Sequence, residues 1–395
     1  MAVLSIALFL LSVVPIVGIG NAATPGSGPI TLTSPNAQGQ GNFGFSAAAS
    51  GNAVVVGAPY ENAFQEDQAG HAYIFTPSTA VSITLTSPNV QPFGYFGESV
   101  AVSGGFVVVG APDETANGFI EAGHAYIFNA ASGALLSTLT SPNAQPYGNF
   151  GFSVAVSGNT AVVGAYGETV NGQYDAGYAY VFNAASGSLV STLTSPNEQQ
   201  DGNFGYSVAV SGGLVAVGAF GETANNQYEA GHAYIFTSVS ALPTTLTSPN
   251  AQARGSFGIS VAASGNTVVV GAYGETANGF ADAGHAYGFT TSGVLLSILT
   301  SPNAQEYGAF GVSVAVSGNT AVVGAWIETA NNQYEGGHAY EFTTLGVLLS
   351  TLTSPNAQPY GQFGSSVAAS GSTAVVGAPG ETANGLINAG HAYIY

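Results

Sequence analysis

The chain has 395 residues, of which 46% are apolar and only 5% are Asp, Glu, Lys or Arg, against the roughly 25% charged that is usual for soluble domains. Twenty carboxylates stand against one basic residue, Arg254, for a formal net charge of −19, so the chain lacks the basic footprint by which proteins hold nucleic-acid phosphates. There is no cysteine, which excludes disulfides and a thiolate nucleophile.

Ala2 to Ile19 is an apolar run broken by Pro15 and followed by Gly20-Asn21-Ala22, whose small residues suit a signal-peptidase cut after Ala22. This reads as a signal peptide over 1–22 and a short linker over 23–28, and it predicts a secreted, extracellular or cell-surface protein. Beyond it no apolar stretch approaches the ~20 residues needed to span a bilayer, so no membrane span is expected in the mature chain. No asparagine stands in an Asn-x-Ser/Thr sequon.

Ile30 to Thr33 reads as a lone strand with no blade of its own before it. From there Phe-Gly pairs fall at Phe43, Phe96, Phe150, Phe204, Phe257, Phe310 and Phe363, at intervals of 53 or 54 residues. Each of the seven copies repeats one outline, here the third: a strand over Gly151–Val156, a turn at Ser157-Gly158-Asn159, a strand over Thr160–Ala165, a long connection, then strands over Gly177–Phe182 and Ser188–Thr194. Two-residue turns of Gly-Asn, Gly-Gly or Gly-Ser supply the positive φ that a tight hairpin needs, so the first two strands are antiparallel neighbours. Four short strands per ~50 residues match the blades of a propeller, whereas the coils of a β-helix are far shorter.

The expected fold is therefore all-β: a seven-bladed β-propeller over 29–395, of four-stranded antiparallel blades, with Ile30 to Thr33 completing the last blade, which otherwise ends at Tyr395. The small residues of the first strand, such as Ser153-Val154-Ala155-Val156, suit the crowded axis. Paired aromatics two apart in the third strand, such as Tyr73 and Phe75, share one face and are expected between blades.

With Phe-Gly opening each copy, Gly-Ala-Pro at Gly57-Ala58-Pro59, Gly110-Ala111-Pro112 and Gly377-Ala378-Pro379, and Gly-x-Ala-Tyr later, the chain resembles the FG-GAP repeats of integrin-α-like propellers over essentially its whole mature length. The resemblance implies extracellular recognition or adhesion. Members often carry a calcium loop between the first two strands, but here that connection is a two-residue turn, too short for the six to eight oxygens that calcium takes.

Alternating strand direction puts the long connections at one end, and these connections hold eighteen of the twenty carboxylates. One glutamate recurs in all seven copies, Glu61, Glu114, Glu168, Glu222, Glu275, Glu328 and Glu381, and is the candidate ring for binding a partner. A second acidic position pairs Glu114 with Glu121, Glu168 with Asp175, Glu222 with Glu229, Glu275 with Asp282 and Glu328 with Glu335. These five pairs are the candidate ligands for calcium or another divalent cation, with Gln68 and Asn388 weakening the end copies. The same glutamates can instead accept backbone N–H groups and organise the loops.

Six histidines, His71, His124, His232, His285, His338 and His391, hold one equivalent position each, with Tyr178 in the third copy. They are expected to make structural hydrogen bonds. Seven near-equal sites offer no singular nucleophile and base, so binding is expected rather than catalysis, with a propeller enzyme of unknown activity as a further alternative. The partner would be an extracellular protein, a glycan or a cell-surface group, cationic to match the charge. The alternative is a building block of an extracellular layer or filament, because a surface without lysine resists self-contact poorly.

Overall fold

The computed structural model describes residues 28–76, 81–237 and 242–395, so the signal-peptide reading lies outside the described residues. These residues form twenty-eight strands in seven four-stranded antiparallel sheets. Among them no helix is long and apolar enough to cross a membrane.

Blade 3 shows the pattern. Ser153–Ser157, Thr160–Ala165, Tyr178–Asn183 and Leu189–Leu193 pair in chain order from the axis outward. The two-residue hairpin pairs Ser157 with Thr160, and Gly158 turns it at φ 56°, the left-handed region that glycine enters freely. Both longer connections leave the blade at the opposite end.

Blade 7 takes its fourth strand from the other end of the chain: Ile30–Leu32 pairs with His391–Ile394, Ile30 opposite Ile394. Leu32 is 3% exposed there, so the ring is closed by core packing as well as by hydrogen bonds.

The core lies between blades. Phe43, Tyr73 and Phe75 of blade 1 cluster with Leu32, Ala368, Val375 and Ala392 of blade 7. The Phe43 ring stands 5.8 Å from both Tyr73 and Phe75, edge-on to the latter, and each such buried ring contributes about 1.5–3 kcal/mol.

The Gly-Ala glycines are required by contact between neighbouring blades. A Cβ on Gly218 would fall 1.9 Å from the carbonyl oxygen of Gly258, the Phe-Gly glycine of the next blade. That oxygen instead accepts Ser207 Oγ at 2.8 Å. The same bond runs from Ser46, Ser99, Ser153, Ser260, Ser313 and Ser366 to the following blade, the last of these returning to Gly44.

Candidate functional site

The repeated glutamate follows the second strand of each blade, where the chain leaves the sheet. Its backbone N–H bonds back to the strand, Glu222 N to Ala219 O at 3.3 Å, and its carbonyl accepts Gly231 N at 2.8 Å, which closes the loop. Between them Ala224 and Gln227 form a tight bridge, and all seven copies share it.

This geometry turns the side chain inward. All seven glutamates are 0% exposed. In blade 4, Tyr234 OH donates to Glu222 Oε2 at 2.5 Å, His232 Nδ1 stands 2.8 Å from the same oxygen, Asn197 Nδ2 donates at 3.2 Å, and Ser195 Oγ donates to Oε1. A desolvated carboxylate is tolerable because these donors replace its water. Ser195 and Asn197 come from the Ser-Pro-Asn that follows the outer strand of blade 3, so each carboxylate ties one blade to the next. In the other five histidine copies the imidazole Nδ1 lies 2.8–3.0 Å from the glutamate.

The expected ring of partner-binding glutamates is therefore corrected. The seven carboxylates face the blade interior, and none is open to a partner. They do organise the loops, but they accept hydroxyl, amide and imidazole donors. The backbone is held instead by a glutamine two residues past each Asn, as where Thr223 N donates to Gln199 Oε1 at 3.0 Å.

The five proposed cation pairs separate for the same reason. Their first members, Glu114, Glu168, Glu222, Glu275 and Glu328, are committed inside the blade. Their second members, Glu121, Asp175, Glu229, Asp282 and Glu335, are half-buried at the ends of the loops with φ of 51–53°. Among the described residues no group of three or more Asp, Glu or His is placed to hold a metal ion.

Blade 3 is the exception within the internal network. Tyr178 replaces histidine and stacks on Tyr180 at 5.6 Å, much as His124 stacks on Tyr126 at 5.7 Å, but it brings no nitrogen to the carboxylate. Burial raises Glu168 to about 7, against the pull of Ser141, Tyr180 and Asn143.

Two features of the loop end escaped the sequence reading. The first is an outer crown of apolar side chains. The tips of the seven loops expose Phe64 (75%), Phe119, Tyr174 (68%), Tyr228, Phe280, Tyr334 and Leu386. In the connections between blades Phe93, Tyr147, Tyr307 and Tyr360 are also exposed, with φ of 58–62°, a region bulky residues seldom adopt and one that recurs at functional surfaces. The available signal was a large apolar residue three to six positions past each repeated glutamate, aromatic in six of the seven copies.

The second is an inner ring, formed by the residue after each Phe-Gly, where the copies differ. Phe152 and Tyr206, equivalent residues of blades 3 and 4, touch at 4.7 Å. Blade 2 places Glu98 at this position. Burial, then Asp113, raises it to about 8.

A family model described as FG-GAP repeat matches residues 30–75, 82–128, 135–182, 188–236, 243–289, 295–342 and 348–395. A search of curated protein sequences finds no match. Among solved structures, the computationally designed Ika8 protein is similar at 15% identity, covering 92% of this chain and 98% of its own, with a TM-score of 0.51. At that identity the likeness concerns the fold alone.

Proposed function

Because the chain belongs to the FG-GAP repeat family, and its loop end exposes aromatic side chains in copy after copy, we propose that it is an extracellular binding module that captures a cationic protein partner through that end. The observation that carries this reading is the crown. Seven loop tips each hold an apolar or aromatic residue in solvent at the same end of the ring, and one of them, Tyr334, packs at 5.5 Å on the exposed Tyr360 of the next connection. Carboxylates left at the surface, among them Glu66, Asp67 and Asp201, stand in the same connections. Aromatic contacts supply short-range affinity and the uncompensated charge steers a basic partner in. The secreted address rests on Ala2 to Ile19 and the small residues after it.

Immobilised poly-L-lysine is a defined probe. The expected result is saturable binding that weakens from 50 to 500 mM salt and is lost in a variant carrying Phe64→Ser, Tyr174→Ser, Tyr228→Ser and Tyr334→Ser. Binding that ignores salt, or none at either salt concentration, contradicts the proposal.

A second reading, a self-assembling building block, is favoured by a different surface. The outer strands expose Leu135, Leu136, Leu189, Val190, Leu348 and Leu349 along sheet edges that lack lysine. Light scattering tests it, and a monomer that persists at high concentration opposes it.

A further inference from the structure

The loop end carries a polar cleft that recurs from blade to blade. In blade 4 a cleft of about 460 Å³ is lined by Pro196, Asn197, Thr223, Asn225, His232 and Thr245. In blade 1 a cleft of about 390 Å³ is lined by the equivalent Pro35, Asn36, His71 and Thr84. Both volumes lie at the small end of the range for small-ligand sites, about 300–1,000 Å³. The histidine in each is deeply buried, His232 at 8% and His71 at 6% exposed. Its Nδ1 is turned to the buried glutamate, at 2.8 Å in blade 4 and 3.0 Å in blade 1. Its Nε2 has no hydrogen-bond partner among the described residues, and the imidazole lines the cleft, so that nitrogen is the atom offered to a ligand.

The surroundings state the chemistry of that ligand. With Nδ1 held as a donor by the carboxylate, the neutral ring presents Nε2 as an acceptor, which calls for a hydroxyl or N–H group on the ligand. Asn197 gives Nδ2 to Glu222 at 3.2 Å and keeps its Oδ1 as a second acceptor. Thr245, opposite Tyr234 on the outer strand, adds a hydroxyl at an exposed position. Pro196 and Tyr234 supply apolar lining. No Asp, Glu, Lys or Arg lines either cleft, and the net charge of −19 repels anions at long range. Uncharged acceptors and hydroxyls beside a small apolar surface suit an uncharged ring that bears several hydroxyls.

We infer that each such cleft binds one pyranose unit of a neutral glycan, with sugar hydroxyls bonded to the histidine Nε2, the asparagine and the threonine. These sites do not rest on the capture of a cationic partner by the crown and are tested apart from it. Blades 2, 6 and 7 carry the same three residues, as Asn89, His124 and Thr138, as Asn303, His338 and Thr351, and as Asn356, His391 and Thr31. With blades 1 and 4 this makes five equivalent clefts. Blade 3 departs by carrying Tyr178 for the histidine, and blade 5 by carrying Ile298 for the threonine. A glycan that presents the same sugar several times engages several clefts at once and gains avidity over a single unit.

The test is titration of the full-length protein with methyl glycosides of glucose, galactose, mannose and N-acetylglucosamine, followed through the histidine Cε1–H resonances, one for each blade that carries a histidine. At least one glycoside should saturably shift the resonances of His71, His124, His232, His338 and His391, while His285 of blade 5 responds with an affinity lower by about fivefold or more. Thr245→Ile, which copies blade 5 at an exposed position, should weaken the His232 site alone by about tenfold, the scale of one hydrogen bond, and melt like the wild type. It should also keep its binding to poly-L-lysine. Glycoside binding without poly-L-lysine binding removes the crown reading alone, and the reverse removes the clefts alone. No saturable shift with any glycoside, a His285 response equal to the others, undiminished binding at His232 in Thr245→Ile, or tighter binding of acetate or N-acetylglycinamide than of every glycoside would each overturn the inference.

Discussion

Replacing Glu168 and Glu222 by glutamine separates a carboxyl that holds its proton from one that is fully provided with donors. Glu168 is raised by burial from an ordinary 4.5 to about 7. Between these values the unfolded chain releases its proton while the native chain keeps it, so native stability falls as pH rises through the window. At about 1.4 kcal/mol per unit, the shift corresponds to about 3 kcal/mol. Glu168→Gln removes the titrating group, so its stability relative to wild type should climb by about 2–3 kcal/mol between pH 5 and pH 8. Glu222→Gln strips the carboxylate from His232, Tyr234, Ser195 and Asn197 and should cost about 2–4 kcal/mol at pH 8. Urea denaturation at several pH values measures both. A Glu168→Gln difference that stays flat within about 0.5 kcal/mol across the range, or equal losses for the two variants at pH 8, would refute the reasoning.

The close approach between blades predicts that Gly218→Ala yields no folded protein by circular dichroism, since the new Cβ meets the Gly258 carbonyl at 1.9 Å. Gly265→Ala has open space but φ 55°, so it should fold with a loss of about 1 kcal/mol in urea melts. Leu32→Ala should cost about 2–4 kcal/mol although it lies near the start of the propeller, and a loss below about 1 kcal/mol would mean that Ile30–Leu32 does not close the ring in solution.

Much of the architecture was legible because it is encoded by local, repeated features. Alternation within short strands, the glycine-led two-residue turns and the constant Phe-Gly interval specify four-stranded blades and their number. Closure by a strand over Ile30 to Thr33 followed from counting, since one strand preceded the first copy and the last copy lacked one, and the structure pairs Ile30–Leu32 there.

The fate of the repeated glutamates was decided by tertiary structure. A Glu in a long polar connection reads as exposed, because its water substitutes are not its neighbours in sequence. For Glu222 they are Tyr234 and His232 on the next strand and Ser195 and Asn197 from the preceding blade. The Ser-Pro-Asn that precedes every copy was visible, but its purpose becomes plain only when the outer end of one blade is laid against the loop of the next. Glu98 escaped for the opposite reason. A repeat-based reading looks for what recurs, whereas Glu98 is a departure from its equivalents, and only the packing of the blades buries it near Asp113 and the rings of Tyr60 and Tyr95.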